Sequence, residues 1–336
     1  MLRIIVVIFI LSFSFILFGQ SESIILDPDQ NFPQWLKDNH TRSDQTSGIA
    51  FIKSECDKKY FLIADDIGFI NLLTLNHDSV FRIERISFVD SASNYFSNFP
   101  KKDFEEIVYD QNSGNVYLSV EGNGERYNEF VGIYQLIFVG DDVFSKQVES
   151  VVKMDFVPSE LFYHYTNFNL GFEGVALDDN YFYLGLEGFM NNFQFADSTI
   201  IFIANKSDLN IVKEISTKGL GIHSICGLYS DKDYSVWGVD RNNRTIFHLL
   251  FDEELDIKDF SKFDGVTSIP GYTGLNYLPS YESITVDDED NIYIVDDPWK
   301  EVFVPGKDIL DNLDNQSINN FKEYIPIIFK FKITYH

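Results

Sequence analysis

At 336 residues, 45% of them hydrophobic and 16% aromatic, the chain is long enough for two average domains or one large β domain with a substantial core. Its 52 acidic residues against 26 basic ones give a formal charge of −26, which argues against nucleic acid and anionic membrane as partners and makes cations the ligands its field attracts. Only Cys56 and Cys226 are present, so no disulfide framework is available and burial of apolar side chains must hold the fold.

The first twenty residues carry Arg3, an apolar run over 4–18 interrupted only by serines, and then small and polar residues. This pattern predicts a signal peptide over 1–20, cleaved near 19–21. The run is short for a bilayer span, which needs about 20 apolar residues, and no cysteine follows it to carry a lipid. The expected product is a secreted or periplasmic monomer whose residues 21–336 form a single domain.

Five hairpin-like units follow in order. They are SGIAFIKSECDKKYFLIADD from Ser47, FEEIVYDQNSGNVYLSVEG from Phe104, GFEGVALDDNYFYLGLEG from Gly171, ICGLYSDKDYSVWGVD from Ile225 and YESITVDDEDNIYIVDD from Tyr281. Each has a short apolar strand, a turn rich in Asp, Asn, Ser or Gly, and a second strand ending in an acid. In the third unit, a turn centred on Asn180 sets Glu173 opposite Glu187, two like charges that repel unless something positive lies between them. Aligned on Glu173, the units place Ser47, Glu105, Glu173, Cys226 and Glu282 in register, at intervals of 58, 68, 53 and 56 residues. Repeats of this length, built of strands, predict an all-β, five-bladed β-propeller of four-stranded antiparallel blades around a channel.

Two more strands follow each hairpin, such as INLLTLNH and VFRIERISFV after the first and STIIFIANK and NIVKEISTK after the third. The fifth unit has only IPIIFKFKI before the chain ends, one strand short. The segment SIILD, ahead of the first blade, is the predicted replacement, and pairing it with the last blade closes the ring. Six blades are the alternative and need a repeat hidden in the 68-residue interval.

In such a ring, the connections from second to third strand, and from fourth strand to the next blade, share one face. They are the long ones: 90–103, 122–129, 157–171, 188–197, 264–280 and 297–323. Function is expected on that loop face. Helix is expected only in the stretch GKDILDNLDNQSINNFK from Gly306.

The same topology brings the two marked positions of every hairpin to the loop face beside the channel. These are Ser47 and Asp65, Glu105 and Glu121, Glu173 and Glu187, Cys226 and Asp240, and Glu282 and Asp296. Eight of the ten are acids. Asp65, Glu105, Glu121, Glu173, Glu187, Asp240, Glu282 and Asp296 are therefore the candidate ligands of a hard cation, with calcium (Ca2+) predicted because it takes six to eight oxygens without dedicated loops. The competing reading is that these acids hold backbone amides where strands begin and end. The six histidines show no paired spacing and the cysteines are isolated, which sets zinc aside.

The FEGVAL and YLGLEG pair, with its echoes FEEIVYD, YLSVEG, YESITVD and YIVDD, resembles the bacterial SdiA-regulated propeller family, and is also similar to the esterase-like phytase propellers. The first resemblance implies an exported, NHL-like five-bladed propeller with bound calcium. The chain departs from the pattern at Ser47 and Cys226, where the inner acid is missing, which suits an off-axis ion.

The expected function is a calcium-binding module that holds a small molecule, carbohydrate or protein on its loop face. Tyr95, Phe96, Phe99, Tyr163, Tyr165, Phe168, Tyr272, Tyr277 and Trp299 are there as a contact surface or as plugs over the channel. The alternative is a metal-dependent hydrolase, phytase-like or lactonase-like. It calls for cations from the set Lys101, Lys102, Arg126, Arg241 and Arg244, or for His164 or His223 as proton carrier. No G-x-S-x-G elbow supports serine hydrolysis.

Overall fold

A computed structural model of the chain describes residues 24–336 apart from 125, 168, 192–193 and 231–233. The predicted signal peptide, 1–20, lies outside the described residues. Five antiparallel sheets form the blades of a five-bladed β-propeller. Blade 1 is Thr46–Glu55, Lys58–Asp65, Phe69–Asn76 and Ser79–Arg85. Blade 2 is Phe104–Tyr109, Val116–Val120, Gly132–Phe138 and Gln147–Lys153, with Ser87–Phe88 added in parallel outside. Blade 3 is Gly174–Leu177, Tyr181–Gly185, Ile200–Asn205 and Ile211–Ser216, and blade 4 is Gly227–Ser230, Ser235–Asp240, Thr245–Phe251 and Ile257–Asp264.

Blade 5 takes Tyr281–Val286, Asn291–Asp296 and Ile327–Tyr335 from the end of the chain and Ile24–Pro28 from its beginning. The predicted closure is present: Ile24 pairs with Tyr335 and Pro28 with Phe331. No sixth blade occurs among the described residues.

Burial explains the sequence pattern. Inner strands are covered on both faces, so Tyr281–Val286 and Asn291–Asp296 are buried at every position. Outer strands such as Ile211–Ser216 alternate between covered and exposed residues. The core divides into five clusters, one between each pair of neighbouring blades. The one between blades 5 and 1 contains Phe61 and Tyr293, ring centroids 4.8 Å apart. Each large ring removed from water contributes about 1.5–3 kcal/mol, and the five clusters together bind the blades around the axis.

The expected helix near Gly306 is present as two short ones, Lys307–Leu310 and Asn315–Lys322, the second capped by Asp314, which accepts from Ser317 N at 2.8 Å. Helix is not confined there: Asp90–Phe96, Tyr127–Phe130 and Leu161–His164 also occur in the loop-face connections. These three have no side-chain cap and run at most seven residues, too short to leave a periodic signal. Packing selects the first of them, through Phe96, whose ring lies 5.0 Å from that of Phe104.

Partway along the channel the inner strands nearly touch. A Cβ added to Gly48 would lie 2.5 Å from Glu105 O, and one added to Gly227 would lie 2.5 Å from Ser283 Cα. At this level the Glu106 carboxylate spans the axis, accepting from Ser283 Oγ of blade 5 at 2.5 Å and from Leu228 N of blade 4 at 3.2 Å. The pinch divides the channel into a loop-face mouth and a turn-face funnel.

Candidate metal centre at the channel mouth

The loop-face mouth is a small cavity of about 80 Å³. Two rows of residues build it. The inner-strand row is Ser47, Glu105, Glu173, Cys226 and Glu282, in the register read from the sequence; all five are buried, and all but Cys226 line the cavity. In blades 1, 2 and 5 the strand bulges here, with register shifts between Thr46 and Gly48, Phe104 and Ile107, and Tyr281 and Ser283. A bulge re-aims a side chain, and here it falls where Ser47, Glu105 and Glu282 reach the cavity.

The second row differs from the expected one in three blades. Backbone amides of Asp66, Glu121, Glu187 and Asp297 donate to Gln45 O, Asp103 O, Gly171 O and Ser280 O at 2.9–3.1 Å, which makes these four residues equivalent. Arg241 takes the same place in blade 4. Asp65, Asp240 and Asp296 stand one residue earlier and do not line the cavity. A one-residue step in a strand turns a side chain to the opposite face, so these three candidate ligands are corrected to structural roles. The pairing in blade 3 is likewise off by one: Gly174 faces Gly185 and Leu177 faces Phe182, so Glu187 is not directly across from Glu173.

The three displaced aspartates are pins. Asp240 accepts from His223 N at 2.8 Å, Ser224 Oγ at 2.9 Å, Asn243 N at 3.0 Å and Asn243 Nδ2 at 2.8 Å. Asp296 accepts from Ile327 N at 2.6 Å, and Asp65 from Ser43 Oγ and Asn71 Nδ2. The structural reading of the acids therefore holds for these three.

Eight carboxylates and two cations face the cavity: Asp66, Asp103, Glu105, Glu121, Glu173, Glu187, Glu282 and Asp297 against Lys101 and Arg241. The two cations divide it. Arg241 NH1 donates to both oxygens of Glu282 at 2.8 Å and NH2 to Glu187 Oε1 at 2.6 Å, while Glu173 Oε2 lies 3.6 Å away. Lys101 pairs with Asp103 and, at 2.9 Å, with Asp66 Oδ1, which makes no well-angled hydrogen bond besides. Between these two groups, Glu121 Oε1 and Glu173 Oε2 are buried without a hydrogen-bond partner, as is Asp297 Oδ1.

Burial pushes Glu105, Glu121 and Glu173 well above the usual carboxylate range, and their mutual repulsion adds to it. Burial also raises Glu187, to about 7, with Arg241 opposing the rise. Asp297 is raised by burial and then by Glu282. Three sets bring one ligand atom each within 4.8 Å of one another: Asp103, Glu105 and Glu121; Glu121, Glu173 and Glu187; and Glu173, Cys226 and Glu282.

Asp66, Asp103 and Asp297 are site residues that the sequence reading did not single out. The strand ends gave no signal for them: aligning VEG and LEG with ADD, VDR and VDD by their last apolar positions puts Asp65, Asp240 and Asp296, rather than Asp66, Arg241 and Asp297, in line with Glu121 and Glu187. The aromatic set also divides. Phe96 and Tyr277 are buried in the core between blades, Tyr95, Tyr163 and Trp299 are exposed, and of these Trp299 lines the cavity; Phe168 lies outside the described residues. Arg126 and Arg244 are engaged elsewhere, with Glu129 and with backbone carbonyls, and His164 and His223 do not line the cavity.

No protein-family model and no curated protein sequence matches the chain. Among solved structures, the PQQ-bound form of aldose sugar dehydrogenase from Streptomyces coelicolor is similar with a TM-score of 0.48 and 10% identity, over 91% of this chain and 100% of that one. A luciferin-regenerating enzyme is similar with a TM-score of 0.42 and 11% identity, over 86% of this chain and 78% of that one. Likenesses this distant carry no argument about chemistry.

Proposed function

We propose that this protein is an exported calcium-binding propeller whose metal, held off-axis at the channel mouth, forms the floor of a ligand-binding loop face. The observation that carries this reading is the pair of buried oxygens without a hydrogen-bond donor, Glu121 Oε1 and Glu173 Oε2, beside a small cavity, the second of them meeting Arg241 only at 3.6 Å. A buried carboxylate oxygen without a donor costs several kcal/mol unless a proton or a cation meets it. The oxygens of Asp103, Glu105, Glu121, Glu173 and Glu187 form the two overlapping triads nearest that gap, all hard donors, at separations a calcium ion spans. The third triad includes the Cys226 thiol and Glu282, whose two oxygens Arg241 already occupies, so it fits a hard cation poorly. Arg241 keeps the ion from the axis, in keeping with the departure from symmetry at Ser47 and Cys226.

A binding role fits better than a hydrolytic one. Arg241 and Lys101, the cations beside the metal, are committed to carboxylates rather than open to a phosphate. Trp299 at the cavity edge offers an apolar face to a ligand on the metal. The test is elemental analysis with calorimetric calcium titration of the chelator-stripped chain. One calcium per chain and a raised melting temperature are expected, with binding lost in Glu173→Gln. Absence of metal together with an unchanged melting curve in chelator overturns the metal reading. Turnover of a phytate-type substrate on adding calcium would overturn the binding role.

A further inference from the structure

A second cavity, larger than the acid mouth, lies at the opposite end of the channel. It holds about 420 Å³ and lies beyond the Glu106 pinch, among the turns that join first to second strands. All five inner strands contribute apolar side chains to its wall: Ile49 from blade 1, Ile107 from blade 2, Ala176 from blade 3, Leu228 from blade 4 and Ile284 from blade 5 are all buried core residues. Its rim is acidic.

The rim acids fall into two kinds. Asp110, Asp178 and Asp287 are spent on structure. Lys206 pairs with Asp110 at 2.8 Å and Lys59 pairs with Asp287. Asp178 accepts from Asn180 N and Tyr181 N at 2.7 Å and from Tyr183 OH at 2.8 Å. Asp179, Asp288 and Asp290 are exposed, and among the described residues no cation lies within ion-pair reach of any of them. Asp179 accepts from Asn112 and Asp288 from Ser54, neutral donors that orient the carboxylates without neutralising them. No basic side chain lines the cavity among the described residues.

A pocket with apolar side chains in its wall, an anionic rim and, among the described residues, no counter-ion is complementary to one chemistry. We infer that this funnel binds a small amphiphilic organic cation, its ammonium group at Asp179, Asp288 and Asp290 and its apolar body against the inner-strand wall. The volume falls in the range of small-molecule sites, about 300–1,000 Å³. The apolar wall contributes affinity by burial, while the rim selects for positive charge and rejects carboxylates of the same shape. A formal charge of −26 raises the local concentration of cations at every face, but the funnel adds a desolvated wall that inorganic cations cannot use. This site stands apart from the metal centre, because the Glu106 layer closes the channel between them, and it does not rest on the metal reading.

The experiment titrates the full chain, with calcium present, against three probes sharing one apolar body: hexylammonium, hexanol and hexanoate. Hexylammonium is expected to bind at least tenfold more tightly than hexanol, and hexanoate not at all. The triple variant Asp179→Asn, Asp288→Asn, Asp290→Asn should bring hexylammonium down to the level of hexanol. Asn tolerates the left-handed φ of 59° at position 290, and an unchanged melting temperature confirms that the variant folds. Glu121→Gln, at the other end of the channel, should leave hexylammonium binding unaltered. Equal binding of hexylammonium and hexanol, no binding of either, or full retention by the triple variant overturns the proposal. Loss of hexylammonium binding in Glu121→Gln would also overturn it, by placing the probe at the acid mouth.

Discussion

Asp65, Asp240 and Asp296 sit immediately before Asp66, Arg241 and Asp297, yet the two sets do opposite work. Each residue of the first set has its carboxylate met by hydrogen-bond donors, and Asp240 alone accepts four within 3.0 Å. The second set faces a cavity crowded with like charge, where partnerless oxygens remain. Asp296 and its neighbour Asp297 are both buried, so what separates a structural acid from a site acid there is whether donors were supplied. The same distinction recurs on the turn face, between Asp178, met by two amides and a hydroxyl, and its neighbour Asp179.

Three substitutions put that comparison under strain. The largest effect is expected from Arg241→Met, which leaves Glu187 and Glu282 buried without their counter-ion and costs about 3–5 kcal/mol. The loss depends on pH. Glu187 is raised from 4.5 to about 7 in the folded chain, so its contribution to stability is full below 4.5 and disappears as pH rises through 7. Without Arg241 that rise extends further, and denaturant unfolding in chelator should show a larger deficit at pH 8 than at pH 5. Equal deficits would mean that Arg241 acts through packing alone.

Next is Asp240→Ala, which strands amide and hydroxyl donors around Ser224 and Asn243 and should cost about 2–4 kcal/mol. Calcium stoichiometry of the folded fraction should be unchanged, since Asp240 lies outside the mouth; a lost ion would return Asp240 to the ligand set. The smallest effect has the opposite sign. Glu121→Gln removes one of several mutually repelling carboxyls and should stabilise the metal-free chain by on the order of 1 kcal/mol, read as a higher melting temperature in chelator, while abolishing the gain from calcium. A lower melting temperature in chelator would show that Glu121 is a pin after all.

The blades were legible because period-two alternation and Asp/Asn/Gly turns are local properties, visible within about fifteen residues at a time. Closure by Ile24–Pro28 was legible as a deficit of one strand. The inner row of the mouth was legible too, because Ser47, Glu105, Glu173, Cys226 and Glu282 hold equivalent places. The outer row was not, and the cause is physical. Counting outward from a turn assumes an unbroken ladder, and bulges at Ser47 and Glu282 shift the count by one in blades 1 and 5. Blade 2 bulges yet keeps Glu121 in the row, and blade 4 is displaced with no bulge in its first hairpin, so bulging alone does not set the row. Charge misled in the same direction, because Asp65, Asp240 and Asp296 carried the expected sign while the true equivalent in blade 4 is an arginine. Asp103 lies in a loop, and its reach into the mouth depends on how that loop packs.

The pairing of Ile24 with Tyr335 has a kinetic consequence. The first described strand waits for a partner that is synthesised long after it. Four blades can assemble from contacts within a few dozen residues, but the fifth requires a loop closure spanning nearly the whole chain, the kind of contact that slows folding most. Until it forms, the edge of Ile327–Tyr335 that should hold Ile24–Pro28 is unpaired. During that interval this strand edge is the part of the molecule most open to pairing with another copy.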